Sequence, residues 1–134
     1  MTTLISPHGA SALKPLFVVD DTAREQLKSD AQALPSIVVS SAAAGNAVML
    51  AAGYFTPLAG FMNKADALSV GQSLHTTSGL FWPTPVLNLV SDAGEFNVGD
   101  RIALRDPNVE DSPVLAVQHI EAIDVFSEAE IDTL

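Results

Sequence analysis

The chain has 134 residues, which fits one domain and leaves little room for two. Apolar residues make up 48% and charged residues only 16%, so a sizeable core can form and a disordered chain is excluded. The net charge of −10 repels phosphate backbones and anionic lipid heads, so neither nucleic acid nor a membrane is an expected partner.

Without cysteine there is no disulfide, no thiol nucleophile and no Cys-ligated zinc, a composition that suits the cytoplasm. The start, Met1-Thr2-Thr3-Leu4-Ile5, lacks a basic region and a long apolar run, so no signal peptide is read. Phe17-Val18-Val19 reads as a short strand. Asp20 or Asp21 then caps a helix whose Ala23, Leu27, Ala31 and Leu34 fall near one face. Pro35 ends it, because the ring pushes Leu34 out of helical geometry. Ile37-Val38-Val39 reads as a buried β-branched strand, and Ser40 or Ser41 caps a second helix from Ala42 to Ala52. That apolar stretch is too short to span a bilayer. Gly45 weakens the helix by up to about 1 kcal/mol relative to alanine, and Gly53 is its stop in the left-handed region. A third helix is expected from Asn63 or Lys64 to Leu74, with Ala67, Leu68 and Leu74 inward.

The second half reads as β. Leu80 to Val90 alternates imperfectly, and Pro83 and Pro85 confine it to an edge, bend or bulge. Asp92-Ala93-Gly94 and Asp106-Pro107-Asn108 are turns around a strand from Arg101 to Arg105. Val114 to Phe126 reads as one long strand. Helices gathered in the first half and short strands in the second predict a small barrel or sandwich of the α+β class, mainly β. Ser127-Glu128-Ala129-Glu130 matches a capping box, yet Leu134 follows barely two turns later. So short a helix is marginal in water, and the expectation is a frayed segment, cut at the start of a linker helix near 127–134.

No residue pattern supplies complete chemistry. His8, His75 and His119 are scattered, with no ligand pair at helical spacing, and are expected in turns or on the surface. Asp20, Asp21, Asp106, Glu110, Asp111, Glu128, Glu130 and Asp132 lie in caps and turns, where solvation explains them. Ser40-Ser41 lacks the flanking glycines of a nucleophile elbow, and Ala43-Ala44-Gly45-Asn46 lacks the lysine of a P-loop. Tyr54, Phe55, Phe61, Phe81 and Trp82 have no interleaved cations, so core and interdomain packing is expected of them rather than base stacking.

Four segments in order carry a resemblance. Gly53-Tyr54-Phe55-Thr56-Pro57-Leu58-Ala59-Gly60-Phe61-Met62, at the end of the stretch Asn46 to Asn63, is similar to the "G-x-[FY]-[ST]-P-L-x-G-F-[ML]" segment of ATP sulfurylases (sulfate adenylyltransferases). Leu80-Phe81-Trp82-Pro83-Thr84-Pro85-Val86 resembles that family's "W-P-x-P-[IV]" strand. Gly99 to Pro107 and Pro113 to Val117 resemble the strands that follow it. Pro7-His8-Gly9 resembles the family's "P-H-G-G", with Ala10 in place of the second glycine. The resemblance implies an N-terminal PUA-like pseudo-barrel with flanking helices over residues 1–134. The family enzyme joins ATP and sulfate into adenosine phosphosulfate and pyrophosphate, or runs the reverse.

The family's "Q-x-R-N-P", "H-x-x-H" and "G-R-D-H" segments belong to a second, nucleotidyltransferase domain, and none occurs here: Arg105-Asp106 is followed by Pro107. No catalytic, cofactor-binding or metal-binding residue is therefore transferred onto this chain. ATP and magnesium are implied for the full-length enzyme, a catalytic domain in cis and a homo-oligomer for its assembly. The competing expectation is a free-standing PUA-like binding module without enzyme activity, against which the net charge of −10 weighs where the ligand would be RNA.

Overall fold

Asp20, Ser40, Asn63 and Ser127 each accept a hydrogen bond from the amide three residues on, and each opens a helix. The computed structural model describes residues 4–134, so Met1, Thr2 and Thr3, on which part of the signal-peptide expectation rests, lie outside the described residues. The helices are α1 (Asp21–Ala33), α2 (Ser41–Ala51), α3 (Lys64–Ser73) and α4 (Glu128–Ile131), and the strands are β1 (Ser36–Val38), β2 (Arg101–Arg105) and β3 (Val114–His119). No helix among the described residues is long and apolar enough to cross a membrane.

The strands form one sheet in the order β1-β2-β3. β1 runs parallel to β2 with Ile37 opposite Leu104, and β3 runs antiparallel to β2 with Val117 opposite Ala103. The α+β class holds, with less strand than the sequence predicts. Phe17-Val18-Val19 makes no ladder, because its backbone is used otherwise: Leu16 and Phe17 both donate to the Ala51 carbonyl at the end of α2. Between Leu80 and Val90 only Phe81 forms an isolated bridge, to His75, since Pro83 and Pro85 remove ladder donors. β3 stops at His119 rather than Phe126; Ile120 still donates to the Asp100 carbonyl, and the chain then leaves the sheet.

Two apolar clusters hold these elements together. The first joins Val39, Ala43, Ala44, Ile102, Leu104 and Ile120. The second joins Leu50, Met62, Ala67, Val70, Trp82 and Val86. α2 belongs to both, with Ala43 and Ala44 in one and Leu50 in the other, while Phe61 touches each. The expected inner face of α1 is confirmed at Ala31, with Leu27 and Leu34 half-buried, but Ala23 is exposed. In α3 Val70 takes the place expected of Leu74, which is a left-handed cap with φ 57° and sits half-exposed.

The C-terminal segment finds a surface inside the domain. Leu134 packs against the second cluster, and the absence of a side chain at Gly71 lets the Thr133 carbonyl lie directly on α3. Ile131 remains 45% exposed, while Leu134 finds its cover inside the domain. Lys64 fastens the segment: its Nζ donates to the Val125 carbonyl at 2.7 Å, pairs with Glu130 at 2.9 Å and lies over the Phe126 ring. Its amide donates to Asp124 at 3.0 Å.

The Ser127 amide, and after it Lys64, hold the Glu130 carboxyl below the usual glutamate range. A lowered folded value means that this contribution is present at neutral pH and lost as pH falls through it, below the ordinary value of about 4.3. In an acid titration followed by NMR, the Ser127 and Glu130 amide signals should move together in that range. Glu130→Gln should abolish the shared step, and a step of the same size in that variant would show that Glu130 is not its source.

Candidate functional site

Residues 4–19 cross the molecule as a strap without ladder bonds, fixed at several points. His8 donates from Nε2 to the Phe81 carbonyl at 2.7 Å; a carbonyl only accepts, so the proton sits on Nε2. Gly9 is at φ +64°, and a Cβ there would collide with the Leu80 side chain and press on Pro57. Further on, the Lys14 amide donates to Thr56 Oγ1 at 2.8 Å, and Thr56 Oγ1 donates to the Gly53 carbonyl at 2.7 Å. Thr56 is buried, and the strap supplies the partner its hydroxyl needs.

Three segments far apart in sequence thereby meet: Pro7 to Gly9, Gly53 to Pro57, and Leu80 to Thr84. Between them lies an open groove of about 330 Å³ lined by His8, Tyr54, Phe55, Thr56, Phe81, Trp82, Pro83 and Thr84. Trp82 forms its buried floor and meets Phe55 edge-on at 5.8 Å between centroids. His8 leans over Trp82 at 6.0 Å, and Tyr54 stands 74% exposed at the rim.

The groove can receive an apolar or aromatic surface by packing and edge-to-face contact. Its lining holds no Lys, Arg, Asp or Glu. It does not fit a magnesium–triphosphate, which needs cations, amide donors and carboxylates.

The other candidates are dispersed. His75 meets Phe81 edge-on with 5.8 Å between ring centroids, and its Nδ1 donates to the Ser73 carbonyl. His119 is at the end of β3, opposite Arg101. Ser40 caps α2, and Ser41 donates to Asn108 Oδ1 at 2.7 Å, tying α2 to the turn after β2. Asp20 caps α1, and Asp106 accepts from the Asn108 amide, both in the roles expected of them. Asp66, not singled out by the sequence, accepts from the amide and hydroxyl of Thr77 and so braces the loop leading to Phe81. The spacing of Asp66 and Thr77 carries no local motif from which this could be foreseen.

A further feature emerges once the fold is known. No charged residue occurs from Ala31 through Asn63, or from Ala67 through Ser91. These stretches supply α2 and every residue of the groove except His8. α2 and the lining of the groove therefore contain no Lys, Arg, Asp or Glu.

Comparison with known proteins agrees with this picture. Residues 5–131 match the PUA-like domain family. The sulfate adenylyltransferase of Alcanivorax borkumensis is 54% identical over all 134 residues of the chain, which amount to 33% of that protein. The sulfate adenylyltransferase of Allochromatium vinosum is 53% identical over 96% of the chain and 32% of its own length. Among solved structures, the hexameric APS kinase from Thiobacillus denitrificans superposes with a TM-score of 0.68 and 34% identity, over 85% of this chain and 22% of that one. The chain spans about a third of the length of these curated relatives. With the match running almost from end to end, and with relatives more than half identical across it, the chain belongs to the PUA-like domain family, in the form found in sulfate adenylyltransferases.

Proposed function

We propose that this chain is the non-catalytic PUA-like domain of a cytoplasmic sulfate adenylyltransferase and that it orients a catalytic domain in the same polypeptide. The observation that carries the reading is the meeting of the three motif segments on a groove with aromatic walls and no charged side chain. Such a site suits packing against protein. ATP, sulfate and magnesium fall to the remainder of the enzyme, where the phosphosulfate bond forms and pyrophosphate leaves. A homo-oligomer of the whole enzyme is part of the proposal, supported by the hexameric description of the Thiobacillus structure.

The purified chain should show no molybdate-dependent cleavage of ATP above blank. Removing residues 1–134 from the full enzyme should abolish that activity or leave the protein insoluble. Turnover by the pure chain that a substitution within it removes would overturn the reading. The aromatic groove favours one other reading, a module that stacks the bases of RNA. Filter binding at low salt, where electrostatic attraction is strongest, separates the two, and the net charge of −10 predicts no retention.

A further inference from the structure

We infer that the outer side of α2, together with Leu16 and Phe17 of the strap and Tyr54 beside them, is the surface on which the catalytic domain of the same polypeptide docks. The inference rests on reading the chain as one domain of a longer enzyme. α2 has no charged residue, and its inward positions, Ala43, Ala44, Ala47 and Leu50, leave Ala42, Gly45, Val48 and Met49 facing out. A helix on a permanent protein–water boundary carries charged or polar side chains over its outer face; the two polar residues of α2, Ser41 and Asn46, are instead bonded within the domain, to Asn108 and to the Leu87 carbonyl, and the rest of the outer face is apolar.

The patch extends beyond the helix. Leu16 and Phe17 are held at its C-terminal end by their bonds to the Ala51 carbonyl, and Phe17 is 60% exposed. Tyr54 joins through its amide, which donates to the Met49 carbonyl, and its ring continues the surface into the groove. An exposed apolar surface made from a helix, a strap and a groove rim is the kind that marks an interaction site.

Three observations choose the occupant. The relatives are about three times as long as this chain, so most of their polypeptide lies outside this domain and is tethered to it. Leu134 packs against the same cluster as Leu50 of α2, so the last residue and the helix share that half of the core. A second copy of this domain would bring −10 against −10, whereas a domain that binds a triphosphate gathers cations and is attracted.

The test uses the absence of cysteine in these 134 residues. Phe17→Cys, Val48→Cys and, as a control, Val98→Cys are each introduced into the full-length enzyme. Maleimide labelling of each site is followed by peptide mass spectrometry and normalised to the denatured enzyme. Val48 and Val98 are 49% and 62% exposed in the domain, so neither substitution opens the core. F17C and V48C should label on the order of tenfold more slowly than V98C, because reagent reaches them only when the domains part. Equal rates at the three sites would overturn the inference. Protection that disappears on dilution to monomers would overturn it too, by assigning the patch to a second copy. If the rates are equal while removal of residues 1–134 still abolishes activity, the surface is wrong and the proposed function stands.

Discussion

Leu104→Ala is expected to destabilise the domain by about 2–5 kcal/mol, the range for a fully buried leucine whose site cannot collapse. Leu104 is 1% exposed in the middle of β2, paired with Ile37 on one side and Ala116 on the other. Its side chain packs in the first cluster, with Ile102 of β2, Ala43 and Ala44 of α2, and Val39 and Ile120, the residues that follow β1 and β3. No neighbour can move into the space without shifting a strand. The loss is a large fraction of the roughly 5–15 kcal/mol that holds an ordinary domain folded. Urea unfolding followed by the fluorescence of Trp82 should show the midpoint falling with the slope unchanged. An unmoved midpoint would mean that β2 is not the centre of the core.

The second large effect is expected at Gly53. Its φ of +82° lies where an L side chain is strained, and a Cβ would stand 3.1 Å from the Pro15 nitrogen and 3.3 Å from its Cα. Gly53→Val should therefore cost roughly 2–4 kcal/mol, the left-handed penalty plus displacement of the strap. Gly45 gives the contrast. It lies inside α2, and an added Cβ there meets nothing within 4 Å. Gly45→Ala should stabilise by up to about 1 kcal/mol through helix propensity alone. Thermal melts of both variants decide the matter; equal midpoints for Gly53→Val and the parent protein would show that strap and turn yield freely.

The features readable in the sequence are those set by neighbouring residues. Asp20 and Ser40 act as caps, Pro35 stops α1 with Leu34 at ψ 149°, and the capping box of Ser127 and Glu130 closes on both sides. Gly53 is likewise at positive φ, as its place after an apolar helix predicts. The differences arise where a distant partner decides. Phe17 to Val19 has the composition of a strand, but the carbonyl it meets belongs to a helix end. Residues 120–126 have the β-branched look of β3, but the ladder ends where the paired strand begins, at Arg101. The groove illustrates the same limit. His8, Tyr54 and Trp82 are individually visible, yet nothing local says that the strap carries one to the others. The resemblance to a family gave the segments their names, and the fold gave them a common location.

The parallel pairing of β1 with β2 has a consequence for how the domain is made. Arg105 donates to Ser36 across 69 residues of chain, and the first cluster joins Val39 and Ala43 to Ile102, Leu104 and Ile120. Contacts of such high sequence separation require costly loop closure before they return anything, which slows folding. During synthesis α1, β1 and α2 emerge with no sheet to join, and the charge-free stretch from Ala31 to Asn63 is the part left uncovered. Only when Ile120 has cleared the ribosome can the core close. The same stretch that builds the apolar face is thus the one that most needs protection in the nascent chain, and crowding or slow translation between Asn63 and Ile120 should favour aggregation.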